Sequence, residues 1–177
     1  MTAPLNFLFI CTGNSARSIL GEALATTLSK GCLRGYSAGS HPGGKVNPFA
    51  AELCVAMNYP PENLRSKSWD EFGMPGAPAM DLIVTVCDSA AGEACPVWLG
   101  YPSTAHWGLP DPAAVMGNDV DKRMAFRAIR DAMSQRIEML LALPIEKMTV
   151  AERRVEMQRI GETAVLGSAI EKLFPTR

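Results

Sequence analysis

The chain has 177 residues, with 17 Lys or Arg, 18 Asp or Glu and a formal net charge of -1. This length suits one domain that buries a hydrophobic core without disulfide or metal support. The balanced charge excludes a global field that would recruit nucleic acid or an acidic membrane. We see no leader pattern and no apolar run of membrane-spanning length, so we expect a cytoplasmic protein with no nucleic-acid or membrane partner.

The first half of the chain alternates strand and helix patterns. An apolar strand over residues 5–10 ends at Cys11, and Leu residues spaced four apart predict a helix over residues 18–30. A second strand is expected over residues 32–38. Asn47 followed by Pro48 then begins a helix that extends to about Met57.

The second half repeats this alternation. Residues 81–86 predict a strand that ends at Cys87, and a short strand over residues 103–107 leads into Asp111. An apolar stripe after Asn118 predicts a long helix, and Thr149 with Glu152 forms a capping box for another. The alternation predicts an α/β domain with a parallel sheet, in which residues following the strands meet at one ligand-binding edge.

Five cysteines form an odd set in a cytosolic-looking sequence, which argues against a disulfide framework. The absence of Cys-x-x-Cys and the wide separation of the two histidines disfavour zinc. We interpret Cys32 and Cys54 as core residues, on a strand and on an apolar helix face. Cys11, Cys87 and Cys95 remain as reactive candidates, with a buried structural role as the alternative for each.

The loop after the first strand has the form Cys-x5-Arg-Ser, a length that lets the backbone curl around a tetrahedral oxyanion. The guanidinium group of Arg17 can hold two oxygens of such an oxyanion at once. Gly13 and Asn14 tolerate the positive φ that such a curl requires. The predicted oxyanion-binding residues are Thr12, Gly13, Asn14, Ser15, Ala16 and Arg17.

Cys11 lies at the floor of this loop, just ahead of a helix and near Arg17. These neighbours favour a thiolate, so we expect the pKa of the Cys11 thiol to be lowered. Ser18 can donate a hydrogen bond to the sulfur. Cys11 is therefore the predicted nucleophile.

The motifs Cys-Thr-Gly-Asn-Ser-Ala-Arg-Ser at residues 11–18, Tyr-Ser-Ala-Gly at residues 36–39 and Asp111-Pro112 resemble the low-molecular-weight protein tyrosine phosphatase superfamily. Val86-Cys87, Cys95-Pro96 and residues 106–112 resemble its arsenate reductases in particular. The likeness covers about residues 5–143. It implies a doubly wound, four-stranded parallel sheet with helices on both faces, in a single domain spanning residues 1–177. Residues 145–177 then form an additional C-terminal helical extension.

The resemblance implies Asp111 as the general acid. In the reductases it also implies a relay, in which Cys87 attacks the arsenylated Cys11 and the disulfide then passes to Cys87 and Cys95. An external thiol reductant, thioredoxin or glutathione with glutaredoxin, restores the thiols, and no tightly bound cofactor is expected. The spacer from Cys87 to Cys95 is one residue longer than in thioredoxin-linked members, which leaves Cys95 and the reductant open.

Pro112, Ala113 and Ala114 follow Asp111, where tyrosine phosphatases carry aromatic residues. A small oxyanion (arsenate, with phosphate or sulfate as an analogue) therefore suits the site better than a phenyl ring. Some arsenate reductases of this fold hold a potassium ion behind the oxyanion loop, and the matching positions here are Asn14, Glu22, Ser37, Ser68 and Asp70. The alternative is that Asn14 and Ser37 brace the loop by hydrogen bonds and that Glu22 is a solvated helix residue. We expect His106 and Trp107 to pack the loop that carries Asp111 rather than to react.

Three hypotheses follow. The first is a cytoplasmic arsenate reductase. The second is a phosphomonoesterase of the phosphatase type, and the third is a catalytically silent oxyanion-binding or redox-sensing module. The second thiol distinguishes the first from the others.

Overall fold

The computed structural model describes residues 3–93, 98 and 102–174. Four parallel strands form one sheet in the order β2-β1-β3-β4: β1 Leu5–Cys11, β2 Leu33–Gly39, β3 Leu82–Thr85 and β4 Ser103–His106. The chain proceeds from β1 outward to β2, then crosses back to β3 on the other side. This reversal at β1 confirms the doubly wound sheet and places a switch point between β1 and β3.

Six helices accompany the sheet in the described part of the chain, together with three short 3-10 segments. Polar caps begin the longer ones, as predicted at Asn47, whose side chain accepts from Phe49 N, and at Thr149, where both capping-box bonds form. A capping box that was not predicted forms at Asn118. The helices are α1 Arg17–Leu28, α2 Pro48–Ala56, α3 Asp88–Ala91, α4 Asp119–Leu141, α5 Val150–Glu162 and α6 Ser168–Glu171. None of the described helices has the length and apolar character needed to cross a membrane.

The core lies around β1, whose residues Phe7, Leu8, Phe9 and Ile10 are fully buried. A central strand covered on both faces needs such a continuous apolar run. Cys54 is buried as predicted, but the prediction for Cys32 is wrong because that residue is exposed. The strand begins one residue later than expected, at Leu33, and leaves Cys32 in the preceding turn.

Helix α5, in the C-terminal segment, packs directly on β4. A Cβ atom added to Gly161 would lie 2.2 Å from the carbonyl oxygen of His106, so only glycine permits this approach. The indole N–H of the fully buried Trp107 donates to the carbonyl of Met157 at 2.8 Å. The Arg136 guanidinium of α4 donates to the carbonyls of Gly108 and Gly161. The end of α5 is thus tied to the chain just before Asp111.

Candidate active site

Cys11 and Cys87 follow adjacent parallel strands and meet at the switch point. The two strands stay paired up to their ends, where Val86 N donates to Ile10 O at 2.8 Å. Cys11 is the last residue of β1, and Cys87 comes two residues after the end of β3. Asp111 reaches the same pocket from the segment after β4.

The Cys11 loop, residues 11–18, is fastened from outside through its carbonyl groups. The carbonyls of Cys11, Thr12, Gly13 and Ser15 accept hydrogen bonds from backbone amides within residues 40–47, at 2.9 to 3.2 Å. Because these carbonyls are bonded outward, we expect the intervening amide groups to face the inside of the loop, as Asn14 N does in donating to Cys11 Sγ. Such a concave set of N–H groups is an anion-binding nest.

The curl of the loop depends on Asn14, which has a φ of 44° as predicted. The same expectation for Gly13 is wrong, since this glycine is not among the residues with positive φ. Gly39, at the end of β2, has a different role. A Cβ atom there would lie 2.5 Å from the Thr12 carbonyl oxygen, so glycine lets β2 approach the loop.

Two hydrogen-bonding groups contact the Cys11 sulfur, and a third group orients one of them. Ser18 Oγ lies 2.9 Å from Sγ, and Asn14 N donates to Sγ at 3.1 Å. The Asn14 side-chain amide donates to Ser18 Oγ at 2.9 Å, which leaves the Ser18 hydroxyl hydrogen to point at the sulfur. Ser18 therefore lies where a donor to the departing thiolate is needed.

The expected lowering of the Cys11 pKa is wrong in this structure. Burial raises the pKa of the Cys11 thiol, and the nearby Cys87 thiol raises it further. The Ser18 hydroxyl and the backbone amides of Asn14 and Ser18 oppose this by stabilising the thiolate. Arg17 gives less help than expected because its guanidinium is turned to Asp111 and to the Leu109 carbonyl.

Arg17 and Asp111 form a loose ion pair, with 3.5 Å between Nη2 and Oδ2. The other guanidinium nitrogen, Nη1, donates to Leu109 O at 2.8 Å. The Asp111 side chain is 44% exposed, and its Oδ1 accepts from Ala113 N. Arg17 and Asp111 therefore face the same space, and the exposed part of the Asp111 carboxylate opens into it.

That space is a pocket of about 670 Å³. Its wall includes Cys11, Cys87, Arg17 and Asp111, and the loop residues Thr12, Gly13, Ser15 and Ala16. Cys87 Sγ lies 3.5 Å from Thr12 Oγ1, so the second thiol touches the rim of the Cys11 loop. The structure thus brings together the four residues that the sequence analysis predicted as nucleophile, oxyanion clamp, general acid and second thiol: Cys11, Arg17, Asp111 and Cys87.

Cys87 also caps a short helix. Its sulfur accepts from Ala90 N at 3.4 Å at the start of α3, and its side chain is buried. The third predicted thiol, Cys95, lies outside the described residues. The geometry of the relay is therefore described only for its first pair.

His106 and Trp107 have different surroundings. Trp107 is fully buried and packs edge-on against Phe7. The His106 ring is 42% exposed and bridges Thr85 Oγ1 at 2.8 Å and Asp88 Oδ1 at 3.0 Å. It therefore connects the end of β3 to the residue directly after Cys87.

The five positions suggested for potassium do not fit that ion. Asn14 Oδ1 accepts from Lys67 N at 2.8 Å, and Ser68 Oγ donates to Asp70 Oδ2 at 3.0 Å. The remaining two, Glu22 and Ser37, bind each other and the ammonium group of Lys67. A cation of the chain itself stands beside the carboxylate that potassium would need.

Two residues of this region were missed by the sequence reasoning. Lys67 lies beside two of the suggested potassium ligands in the sequence, so a positive side chain there was an available signal. Phe174, from the C-terminal segment, lines the same pocket as Asp111 and Ala114. No sequence signal places Phe174 there, since it is separated from Asp111 by three helices, α4, α5 and α6.

Comparison with known proteins agrees with this geometry. The family model described as low molecular weight phosphotyrosine protein phosphatase matches residues 6–154. The chain belongs to this family.

Within the family, the resemblance to arsenate reductases is confirmed. The arsenate reductase of Halalkalibacterium halodurans is 35% identical over 130 residues, which are 73% of this chain and 90% of that protein. The Bacillus subtilis arsenate reductase is 33% identical over the same coverage. A crystal structure of an arsenate reductase from Archaeoglobus fulgidus superposes with a TM-score of 0.58 at 25% identity, covering 77% of this chain and 99% of the other.

Proposed function

We propose that this chain reduces arsenate to arsenite, with Cys11 as the nucleophile and Cys87 as the thiol that completes the reduction. One observation carries the proposal: the buried Cys87 thiol shares a pocket with Cys11 and lies 3.5 Å from the loop residue Thr12. A hydrolytic phosphatase has no use for a second thiol here, because water resolves its intermediate.

In the first step the Cys11 sulfur bonds to arsenic within the loop. The thiol proton and an arsenate hydroxyl leave together as water, and Asp111 is placed to carry the proton to the departing oxygen. Arg17 and the inward amide groups hold the remaining oxygens.

In the second step Cys87 attacks the Cys11 sulfur. A Cys11–Cys87 disulfide forms, the As–S bond breaks with its electron pair staying on arsenic, and the arsenite that leaves takes up the proton of the Cys87 thiol. Cys95 then attacks Cys87 and frees the Cys11 thiolate. A dithiol such as thioredoxin, or glutathione with glutaredoxin, reduces the Cys87–Cys95 disulfide.

We propose the cytoplasm as the place of action. Cys11, Cys32, Cys54 and Cys87 are all free thiols. A reducing compartment keeps them so and supplies the thiol reductant that the cycle needs.

Non-reducing peptide mapping after a single arsenate turnover tests the relay. The wild type is expected to accumulate a Cys87–Cys95 disulfide, and Cys95→Ser a Cys11–Cys87 disulfide. Cys32→Ser is the matched control, because this exposed thiol lies outside the pocket and its loss should change neither product. The absence of any arsenate-dependent disulfide would overturn the reductase proposal.

An aryl phosphate assay separates the phosphatase alternative. Hydrolysis that survives Cys87→Ser, with no arsenate reduction by the wild type, would identify a phosphomonoesterase. Tight oxyanion binding without either reaction would identify a binding module.

A further inference from the structure

A buried ion pair lies behind the Cys11 loop. Lys67 Nζ is 3.0 Å from Glu22 Oε2, and both side chains are only 8% exposed. Glu22 belongs to α1, four residues after Ser18 and therefore on the same helix face. The pair stands one layer away from the nucleophile and makes no contact with the catalytic pocket.

Each hydrogen of the Lys67 ammonium group has an acceptor. The three acceptors are Glu22 Oε2, Ser37 Oγ at 3.2 Å and the Arg65 carbonyl at 3.1 Å. The other Glu22 oxygen accepts from Tyr59 OH at 2.5 Å. These hydrogen bonds offset the cost of burying the two groups, since the ammonium hydrogens and both carboxylate oxygens have partners within the chain.

The Lys67 backbone connects the ion pair to the loop. Its amide donates to Asn14 Oδ1 at 2.8 Å, and its carbonyl accepts from Gly39 N at 2.9 Å. Because Asn14 Oδ1 is fixed in this way, its Nδ2 must face Ser18 Oγ. The Ser18 hydroxyl is then left to donate to the Cys11 sulfur.

We propose that the Lys67 ammonium is a built-in cation that positions Asn14 and Ser18 around Cys11 and makes the site independent of potassium. The ammonium group donates hydrogen bonds to the side-chain oxygens of Glu22 and Ser37. A potassium ion added beside it would meet a like charge and find those oxygens already occupied. The role is one of positioning, and it holds whichever reaction Cys11 performs.

The wild type gives the first test. We compare its melting temperature, and the rate at which iodoacetamide alkylates Cys11, in potassium, sodium and choline chloride at equal ionic strength. Alkylation of Cys11 is read from the peptide that contains it, because the exposed thiol of Cys32 also reacts with iodoacetamide. Neither quantity is expected to depend on the cation.

The second test removes the ammonium group. Lys67→Ala leaves the Glu22 carboxylate buried without its partner, and in choline chloride this should lower the melting temperature by about 10 °C. The Cys11 alkylation rate at neutral pH should fall several-fold. Potassium or methylammonium should restore both, because a small cation can enter the space left beside Glu22. Lys45→Ala, at an exposed lysine, is the matched control and should show no cation dependence.

A further variant separates charge from packing. Glu22→Gln combined with Lys67→Met removes both charges at similar volume, and should be indifferent to potassium again. The proposal is overturned if potassium stabilises the wild type over choline, which would reveal an ion site. It is equally overturned if Lys67→Ala responds to cations no more than Lys45→Ala. Should Lys67→Ala fold only when potassium is present, that dependence supports the proposal.

Discussion

Removing the Ser18 hydroxyl should slow the chemistry of Cys11 in a predictable way. The hydroxyl lies 2.9 Å from the sulfur and acts to lower the pKa of the Cys11 thiol, so Ser18→Ala should raise that pKa further. A hydrogen bond to a charged group contributes about 1.5–3 kcal/mol, which corresponds to about a 10- to 100-fold loss of thiolate at neutral pH. The Cys11 alkylation rate by iodoacetamide should fall by the same factor.

The assay follows alkylation of the Cys11 peptide against pH. The midpoint should move to higher pH in Ser18→Ala. Thr27→Ala, on the same helix, should leave it unchanged, because the Thr27 hydroxyl bonds to Ala23 O away from the loop. Ser18→Ala also leaves Asn14 Nδ2 without its acceptor. This loss should cost about 1–3 kcal/mol in folding stability, which urea unfolding would record. A midpoint that stays in place or falls would refute the assignment of Ser18 as donor to the sulfur.

Two further predictions concern the C-terminal segment. Gly161→Ala should lower the free energy of unfolding in urea by about 1–3 kcal/mol, because the new Cβ would lie 2.2 Å from the His106 carbonyl oxygen. Gly167→Ala is the control and should be neutral, because nothing lies within 4 Å of its added Cβ. Equal effects would contradict the close approach of α5 to β4. Phe174→Ala should lower stability by about 3 kcal/mol and Phe174→Leu by less, since this ring is 8% exposed against the catalytic pocket. Because the Phe174 ring lines the catalytic pocket, Phe174→Ala should raise the affinity for a bulky aryl arsonate relative to that for arsenate. An unchanged relative affinity would show that the ring does not limit ligand size.

Local sequence signals predicted the elements that carry the nucleophile. The apolar run before Cys11 predicted a buried strand, polar caps marked Asn47 and Thr149 as helix starts, and an apolar stripe predicted the helix after Asn118. The positive φ of Asn14 was predictable because few residue types adopt it. These features depend on residues close together in the chain, which is why a single sequence can reveal them.

Features that depend on distant contacts escaped prediction. The Cys11 pKa is raised because burial outweighs the donors around the sulfur, and burial is a property of the whole fold. Arg17 is turned to Asp111, a residue far along the chain, rather than held near the sulfur. Cys32 is exposed because the turn before β2 is one residue longer than the pattern suggested.

The sequence by itself determined the reactive loop and its parallel-sheet setting, because spacing and residue type within a few positions impose that geometry. Only the tertiary structure decided what surrounds the loop. Lys67 reaches Glu22 and Asn14 across 45 and 53 positions, and Phe174 reaches the pocket from the far end of the chain. Such partners are selected by how layers of the fold pack together, and no local pattern in the sequence encodes that choice.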